Sequence, residues 1–492
     1  MLSGMVTTRI AVLVSFFIYF VPTPAQSTLR VIEAVKAHDR EALRELIGKG
    51  TDVNTLQGDG AAAIHWVAHS GDLEAATLLI DAGADVKVAN ALGATPLWLA
   101  ATNGDGAMVE LLLEAGADPN TALKMGETSL MAAARSGSVS TVERLLEYGA
   151  DVNAKEIERG QTALMWAVAQ QHRDVTQVLI RSGANLHVRS KVYYQFENTA
   201  GNTNPSGNFE MAHGGSTPLL FSARNGDVDT ARVLVEAGAN VNDTMASGMS
   251  ALVVAAHSGH TSFSIYLLEQ GAAPNAAKAG YTALHAAVLR SRPRMVEALL
   301  EYGADPNVCV EHGTPGRRFS ADYSIRAQLI GANTLWLAAK YGELDILRIL
   351  IESGADPHLI PKTGVSLLQA AIGLPRNSQE NRRNRLDSFS QLSRVEEERL
   401  TLRLASIILG LGVDVNAADV TGNTALHHAV RKDFKSVVEF LMLNGAEGGR
   451  PNKSGQTPLM LAETPQSRPG LNSVKITRPK IAQLLRRFGV NN

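Results

Sequence analysis

The feature that most constrains this chain is a tripeptide of the Gly-Ala-Asp kind that returns at a nearly fixed interval. It begins at Gly50, Gly83, Gly116, Gly149, Gly183, Gly238, Gly271, Gly303, Gly354, Gly412 and Gly445, with successive spacings of 33, 33, 33, 34, 55, 33, 32, 51, 58 and 33 residues. A second marker keeps step with it. It is clearest at Thr95-Pro96-Leu97, Thr217-Pro218-Leu219 and Thr457-Pro458-Leu459. Looser copies stand at Thr128-Ser129-Leu130, Thr162-Ala163-Leu164, Thr282-Ala283-Leu284 and Thr424-Ala425-Leu426. Two markers in phase at this period signal an array of small modules, not the three or so globular domains that 492 residues would otherwise suggest. With 45% hydrophobic but only 5% aromatic residues, the chain has apolar surface for a core and favours small, closely stacked helical units.

The chemistry of one module predicts its shape. Thr95 can cap a helix through its hydroxyl, and Pro96 fits the first turn, where a missing N–H costs nothing. Leu97 to Thr102 then forms a short helix ending near Gly104. A second helix, about Ala107 to Glu114, carries Met108, Leu111, Leu112 and Leu113 and ends at Gly116, which accepts the left-handed conformation. Ala117-Asp118-Pro119-Asn120 turns the chain outward into a projecting loop. Helices this short are marginal alone, so stability must come from stacking neighbours.

These residues resemble the ankyrin repeat family over about Leu29 to Val490. Its Thr-Pro-Leu-His signature appears as Ala62-Ala63-Ile64-His65, Thr282-Ala283-Leu284-His285 and Thr424-Ala425-Leu426-His427, while Trp98, Met131, Met165, Leu220, Val253, Trp336, Gln369 and Met460 replace the His elsewhere. The resemblance implies an all-α, ankyrin-repeat solenoid of helix-turn-helix units with projecting β-hairpin-like turns. Residues 28–57 read as an N-terminal capping half-repeat whose signature half is missing. Residues 58–452 read as repeats, and 453–492 as a capping repeat stretched at Pro465 to Pro469 and closed by Arg486-Arg487.

The three long spacings mark insertions at 190–214, 310–331 and 375–398. The first two fall in the turns between units and carry Tyr193, Tyr194, Arg317 and Arg318. They read either as recognition loops, because binding residues concentrate on loops held by rigid scaffolds, or as bulges whose aromatics tuck onto the stack. The third falls between two helices of one unit, and its Val395-Glu396-Glu397-Glu398 reads as an extension of the following helix.

Residues 1–25 read as a signal peptide: Arg9 precedes the apolar run Ile10 to Val21, which is shorter than the roughly 20 residues of a membrane span. Pro22 to Ala25 then offers a small-residue cleavage site. The alternative is an uncleaved anchor. A single cysteine, Cys309, excludes an internal disulfide framework. Export without disulfides fits a bacterial periplasm, so periplasmic or secreted localisation is expected. With 46 basic and 48 acidic residues, no excess of charge points to nucleic acid. No membrane insertion after cleavage is expected, and a monomer is.

No catalytic constellation emerges. His65 and His69 share a helix face at metal-ligand spacing, but His65 falls at the family's structural position and no Glu lies between them in the metalloprotease manner. His257 and His260 straddle Gly259, and His427 and His428 are adjacent on a helix and so point to different faces. Cys309 has no basic neighbour to activate it. The Gly-rich Gly58-Asp59-Gly60 lacks the Lys-Ser/Thr of a phosphate loop. Trp66, Trp98, Trp166 and Trp336 all fall on first helices and are read as core, the alternative being that some line the groove as binding anchors.

A non-enzymatic protein-interaction scaffold with no cofactor and no metal is therefore expected, binding a protein or peptide. The resemblance implies binding through inner-helix positions Thr102, Asn103, Arg135, Gln170, Arg224, Asn225, His257, Leu289, Arg290, Lys340 and Tyr341. It also implies binding through finger positions Leu92, Met125, Glu127, Arg159, Met249, Tyr281 and Asn423. Two alternatives stand beside it: a regulator or protector of a periplasmic enzyme, and an enzyme whose active site is formed by the insertion loops over the groove.

Overall fold

The computed structural model of the protein describes residues 30–198, 208–312, 329–373, 392–468 and 471–491. The expected signal peptide, most of the second and third insertions and the tip of the first lie outside the described residues. The described residues fall into two compact units, one holding 30–193 and 212–247 and the other holding the rest.

In the N-terminal unit the helices come in antiparallel pairs. The first of each pair are α1 (Arg30–Lys36), α3 (Ala63–Ser70), α5 (Pro96–Asn103), α7 (Ser129–Ser136), α9 (Ala163–Ala169) and α11 (Pro218–Asn225). The second are α2 (Arg40–Gly48), α4 (Leu73–Asp81), α6 (Gly106–Glu114), α8 (Val139–Glu147), α10 (Arg173–Arg181) and α12 (Val228–Glu236). Like stacks on like, first helices against first and second against second. The local chemistry is the one read from Thr95: its Oγ1 accepts from the Trp98 N–H at 3.2 Å, Pro96 takes the first turn, and Gly104 ends α5 in the left-handed region. Asp105 then caps α6 by accepting from the Met108 N–H at 3.0 Å.

The N-terminal cap differs from expectation. It holds a complete helix pair, because Val31, Ile32 and Val35 give α1 its own apolar stripe even without a Thr-Pro-Leu-like start, and that stripe is buried.

Two devices join successive modules. Fingertips link through backbone hydrogen bonds: the N–H groups of Ala91, Lys124, Ile157 and Lys191 donate to Asp59, Leu92, Met125 and Arg159 carbonyls at 2.8, 3.2, 2.8 and 2.7 Å. Beneath them, an Asn side chain staples three of these turns to the next. Asn120 Nδ2 donates to the Gly149 carbonyl at 2.9 Å, and its Oδ1 accepts from the Asp151 N–H at 2.7 Å. Asn54 and Asn153 make the same two bonds. Lys87 and His187 stand where the staple would be.

The C-terminal unit repeats the scheme. Its pairs are α13 (Ala251–Ser258) with α14 (Thr261–Glu269), α15 (Ala283–Leu289) with α16 (Pro293–Glu301), and α17 (Thr334–Tyr341) with α18 (Leu344–Glu352). They continue as α19 (Leu367–Gly373) with α20 (Arg394–Leu409), α21 (Ala425–Lys432) with α22 (Lys435–Leu443), and α23 (Pro458–Glu463) with α24 (Pro479–Arg487). Helix α20 runs 16 residues, since the Ser393/Glu396 capping box starts it inside the third insertion, as Val395 to Glu398 suggested.

Strands are the unanticipated element. β1 (Tyr193–Asn198) and β2 (Asn208–His213) pair within the first insertion, and β3 (Gln466–Arg468) pairs antiparallel with β4 (Leu471–Ile476) in the stretched last repeat. The run Tyr193-Tyr194-Gln195-Phe196 has the aromatic composition strands favour.

Candidate functional site

The signature histidines hold structure together. His65 is buried; its Nδ1 accepts from the Ala62 N–H at 3.1 Å and its Nε2 meets the Ala94 carbonyl of the next finger at 3.1 Å. Burial lowers its pKa, so the ring is a neutral bridge. His427 does the same toward the Gln456 carbonyl at 3.1 Å. At two places where the histidine is replaced the bond persists: Trp336 Nε1 donates to the Val365 carbonyl at 2.9 Å, and Gln369 Nε2 donates to the Asn423 carbonyl. Cys309 donates to the Asn307 carbonyl at 3.6 Å, and burial pushes its thiol pKa up, away from nucleophilic use. Among the described residues no group of three or more His, Cys, Asp or Glu is placed to hold a metal ion.

The tryptophans divide. Trp336 is core, as expected. Trp66, Trp98 and Trp166 are only half-buried, because their helices α3, α5 and α9 show this side to solvent in the N-terminal unit. Leu99 and Phe221 are half-buried on the same helix faces. Cations lie over two of the indoles: Lys36 Nζ is 3.9 Å from the Trp66 ring centre, and the Arg135 guanidinium is 4.9 Å from that of Trp166.

Between these rings sits Glu127. Burial raises its pKa, Arg135 pulls it back down and Glu156 pushes it up again. Arg135 pairs with it at 3.2 Å, and the Trp98 indole lies beside it. The charge of Glu127 is therefore answered within the protein.

The fingers above this face end in apolar side chains. Leu92 is 71% exposed, Met125 54% and Ile157 63%, on three successive tips joined by the backbone ladder. Ile157 escaped sequence reading because its finger is one residue longer. The 34-residue spacing is absorbed by Glu156, whose carboxylate accepts from the Arg159 and Gln161 N–H groups at 2.9 Å and closes the wider turn.

The expected binding positions sort into four groups. Arg135, Gln170, Arg159, Arg224, Met125 and Glu127 lie on the open face of the N-terminal unit or its fingers. A second group is engaged in tying modules. Asn103 Nδ2 donates to the His69 carbonyl at 2.7 Å, Asn225 Nδ2 to the Ala169 carbonyl at 2.9 Å, and Arg290 Nε to the His257 carbonyl at 2.5 Å. Thr102 donates within its own helix, to the Trp98 carbonyl at 2.8 Å.

The third group is a correction. Tyr281, Arg290, Lys340 and Tyr341 are 1, 6, 7 and 8% exposed, so they are withdrawn from the surface rather than offered on it. Leu289 and Asn423 are likewise buried. The Tyr281 hydroxyl faces His257 Nδ1 at 3.4 Å, and Met249 and His257 are half-buried. The fourth group belongs to the insertions. Tyr193 and Tyr194 are exposed, with Tyr193 stacked on His213 at 5.4 Å, while Arg317 and Arg318 lie outside the described residues.

Comparison with known proteins adds the following. The family model described as ankyrin repeats (3 copies) matches residues 31–123, 120–190, 219–309 and 398–470, and the one described as ankyrin repeat matches 331–361. Among curated proteins, the chain is 27% identical over 224 residues to ankyrin repeat and SOCS box protein 16 of Mus musculus, covering 42% of this chain and 46% of that protein. It is 32% identical over 204 residues to the B-cell lymphoma 3 protein homolog of Mus musculus, covering 37% and 40%. It is 31% identical over 146 residues to neurogenic locus notch homolog protein 1 of Homo sapiens, covering 27% of this chain and 6% of that one. The chain thus spans less than half the length of these curated relatives.

Proposed function

The chain belongs to the ankyrin-repeat family, and from that premise we propose that it is a non-enzymatic scaffold gripping a protein or peptide on the open face of its N-terminal unit. One observation carries this reading: three consecutive fingertips present exposed Leu92, Met125 and Ile157 above a helix face bearing half-buried Trp66, Trp98 and Trp166. Tryptophan clustered beside arginine is the composition of binding hot spots. The buried histidines and the raised thiol pKa of Cys309 favour binding over chemistry. We further propose that the mature protein is a monomer, periplasmic or secreted, that takes no nucleic acid. Regulation or protection of a periplasmic enzyme is one form this binding could take.

The test is a triple variant, Leu92→Ser, Met125→Ser and Ile157→Ser, compared with the parent in crosslinking from the native compartment followed by mass spectrometry. The partner recovered by the parent should be lost, with the melting temperature moved by no more than about 3 °C because surface changes are nearly neutral. Undiminished recovery would overturn the assignment of the site.

A further inference from the structure

The same face has a sign. At the inner-helix position shared by Lys36, Arg135 and Arg224, and at the fingertips bearing Lys124, Arg159 and Lys191, basic residues gather. The acidic residues among them are Asp59, Glu127, Glu156 and Glu158; Glu127 is already answered by Arg135, and the buried Glu156 by the Arg159 and Gln161 N–H groups. The opposite side runs the other way. The second helices of this unit, α2 through α12, hold eleven acidic against six basic residues. A chain whose formal charge is only −2 therefore separates its charges across one unit, basic on the side that also carries exposed apolar side chains.

Resting on the binding role proposed above, we infer that the occupant of this face is an extended segment of another protein in which acidic residues alternate with large apolar ones. Apolar side chains of such a segment would enter between the fingertips and the indoles. Its carboxylates would meet Lys124, Arg159 and Arg224, which stand exposed around them. Complementary charge supplies specificity and association rate more than raw affinity. The five first helices α3 to α11, stacked at roughly 10 Å, span about 40 Å, and an extended chain at about 3.3 Å per residue covers that with about a dozen residues.

The experiment is selection of a displayed random library of 16-residue peptides on the full chain, and in parallel on the variant Lys124→Glu, Arg159→Glu, Arg224→Glu, whose fold is checked by circular dichroism. The parent should enrich Asp and Glu over Lys and Arg at least twofold relative to the input library, together with Leu, Ile and aromatic residues. The enriched peptides should bind the charge-reversed variant at least tenfold more weakly and lose affinity as salt rises. Enrichment of basic or neutral peptides on the parent, or equal binding of acidic ones by the variant, overturns the acidic-segment inference and leaves the scaffold reading standing. If the parent enriches no peptide at all and the fingertip triple variant still recovers its protein partner, both readings fall together.

Discussion

His285 offers a sharp test of how these modules are joined. Its side chain is fully buried; its Nδ1 accepts from the Thr282 N–H at 3.2 Å, and the Ala332 and Val308 backbone only partly offset the effect of burial on its pKa. Burial pushes its pKa down from 6.5 to about 4. A histidine depressed in the folded state contributes stability that is present above its unfolded pKa and lost as pH falls toward the folded one. The window is therefore about pH 6.5 down to about 4, across which the unfolded chain takes up a proton the folded chain refuses. Between pH 7 and pH 5 this one ring should cost about 2 kcal/mol of stability by linkage. Gln369 fills the equivalent position without titrating and donates to the next module, so His285→Gln should be accommodated there and remove this share of the pH dependence. Urea unfolding of parent and variant at pH 7 and pH 5, with amide exchange in α15 as the local readout, measures it. His427, also held near pH 4, leaves a residual slope in both proteins. If the variant loses as much stability between the two pH values as the parent does, the neutral-bridge reasoning is refuted.

Two other outcomes follow from the joins between modules. Asn120→Ala removes both staple bonds and should cost about 1–2 kcal/mol, whereas Lys87→Asn installs a staple where none exists and should raise the urea midpoint; a fall in that midpoint would show that the register assumed for the turn is wrong. Glu156→Ala strips the buried acceptor from the enlarged finger, should cost about 1–3 kcal/mol, and should speed hydrogen exchange at the Arg159 and Gln161 amides, which exchange unchanged would contradict.

Much of the fold could be read from spacing because each module spends its residues on local rules. Thr95 caps, Pro96 starts, Gly104 and Gly116 end their helices, and the 33-residue period repeats the recipe. The extension of α20 was legible for the same reason, since Ser393 and Glu396 form their box within four residues. What escaped depends on contacts distant in sequence. Arg290 and Tyr341 share the module register of the open position Gln170, and Tyr281 that of Glu127, and nothing near them in the chain announces that they are covered. The Asn103 and Asn225 side chains point back to carbonyls 34 and 56 residues earlier, so their tying role is invisible in a window of one repeat. For Trp66 and Trp166 the groove-side alternative holds over the core reading, because small neighbours such as Ala63 and Ala163 fill the core and leave the indoles at its edge.

The carbonyl that receives His65, Trp336, Gln369 or His427 accepts an imidazole, an indole or an amide alike. At these four places a nitrogen-bound hydrogen is delivered to one oxygen by chemically unlike side chains, while Met131, Met165, Leu220 and Val253 stand in the same register and deliver none, so the letter written there is free to drift while the architecture stands still. A census of such modules keyed to one letter would pass over several that are built alike, and an engineer extending the array has three interchangeable fasteners, of which two ignore acidity.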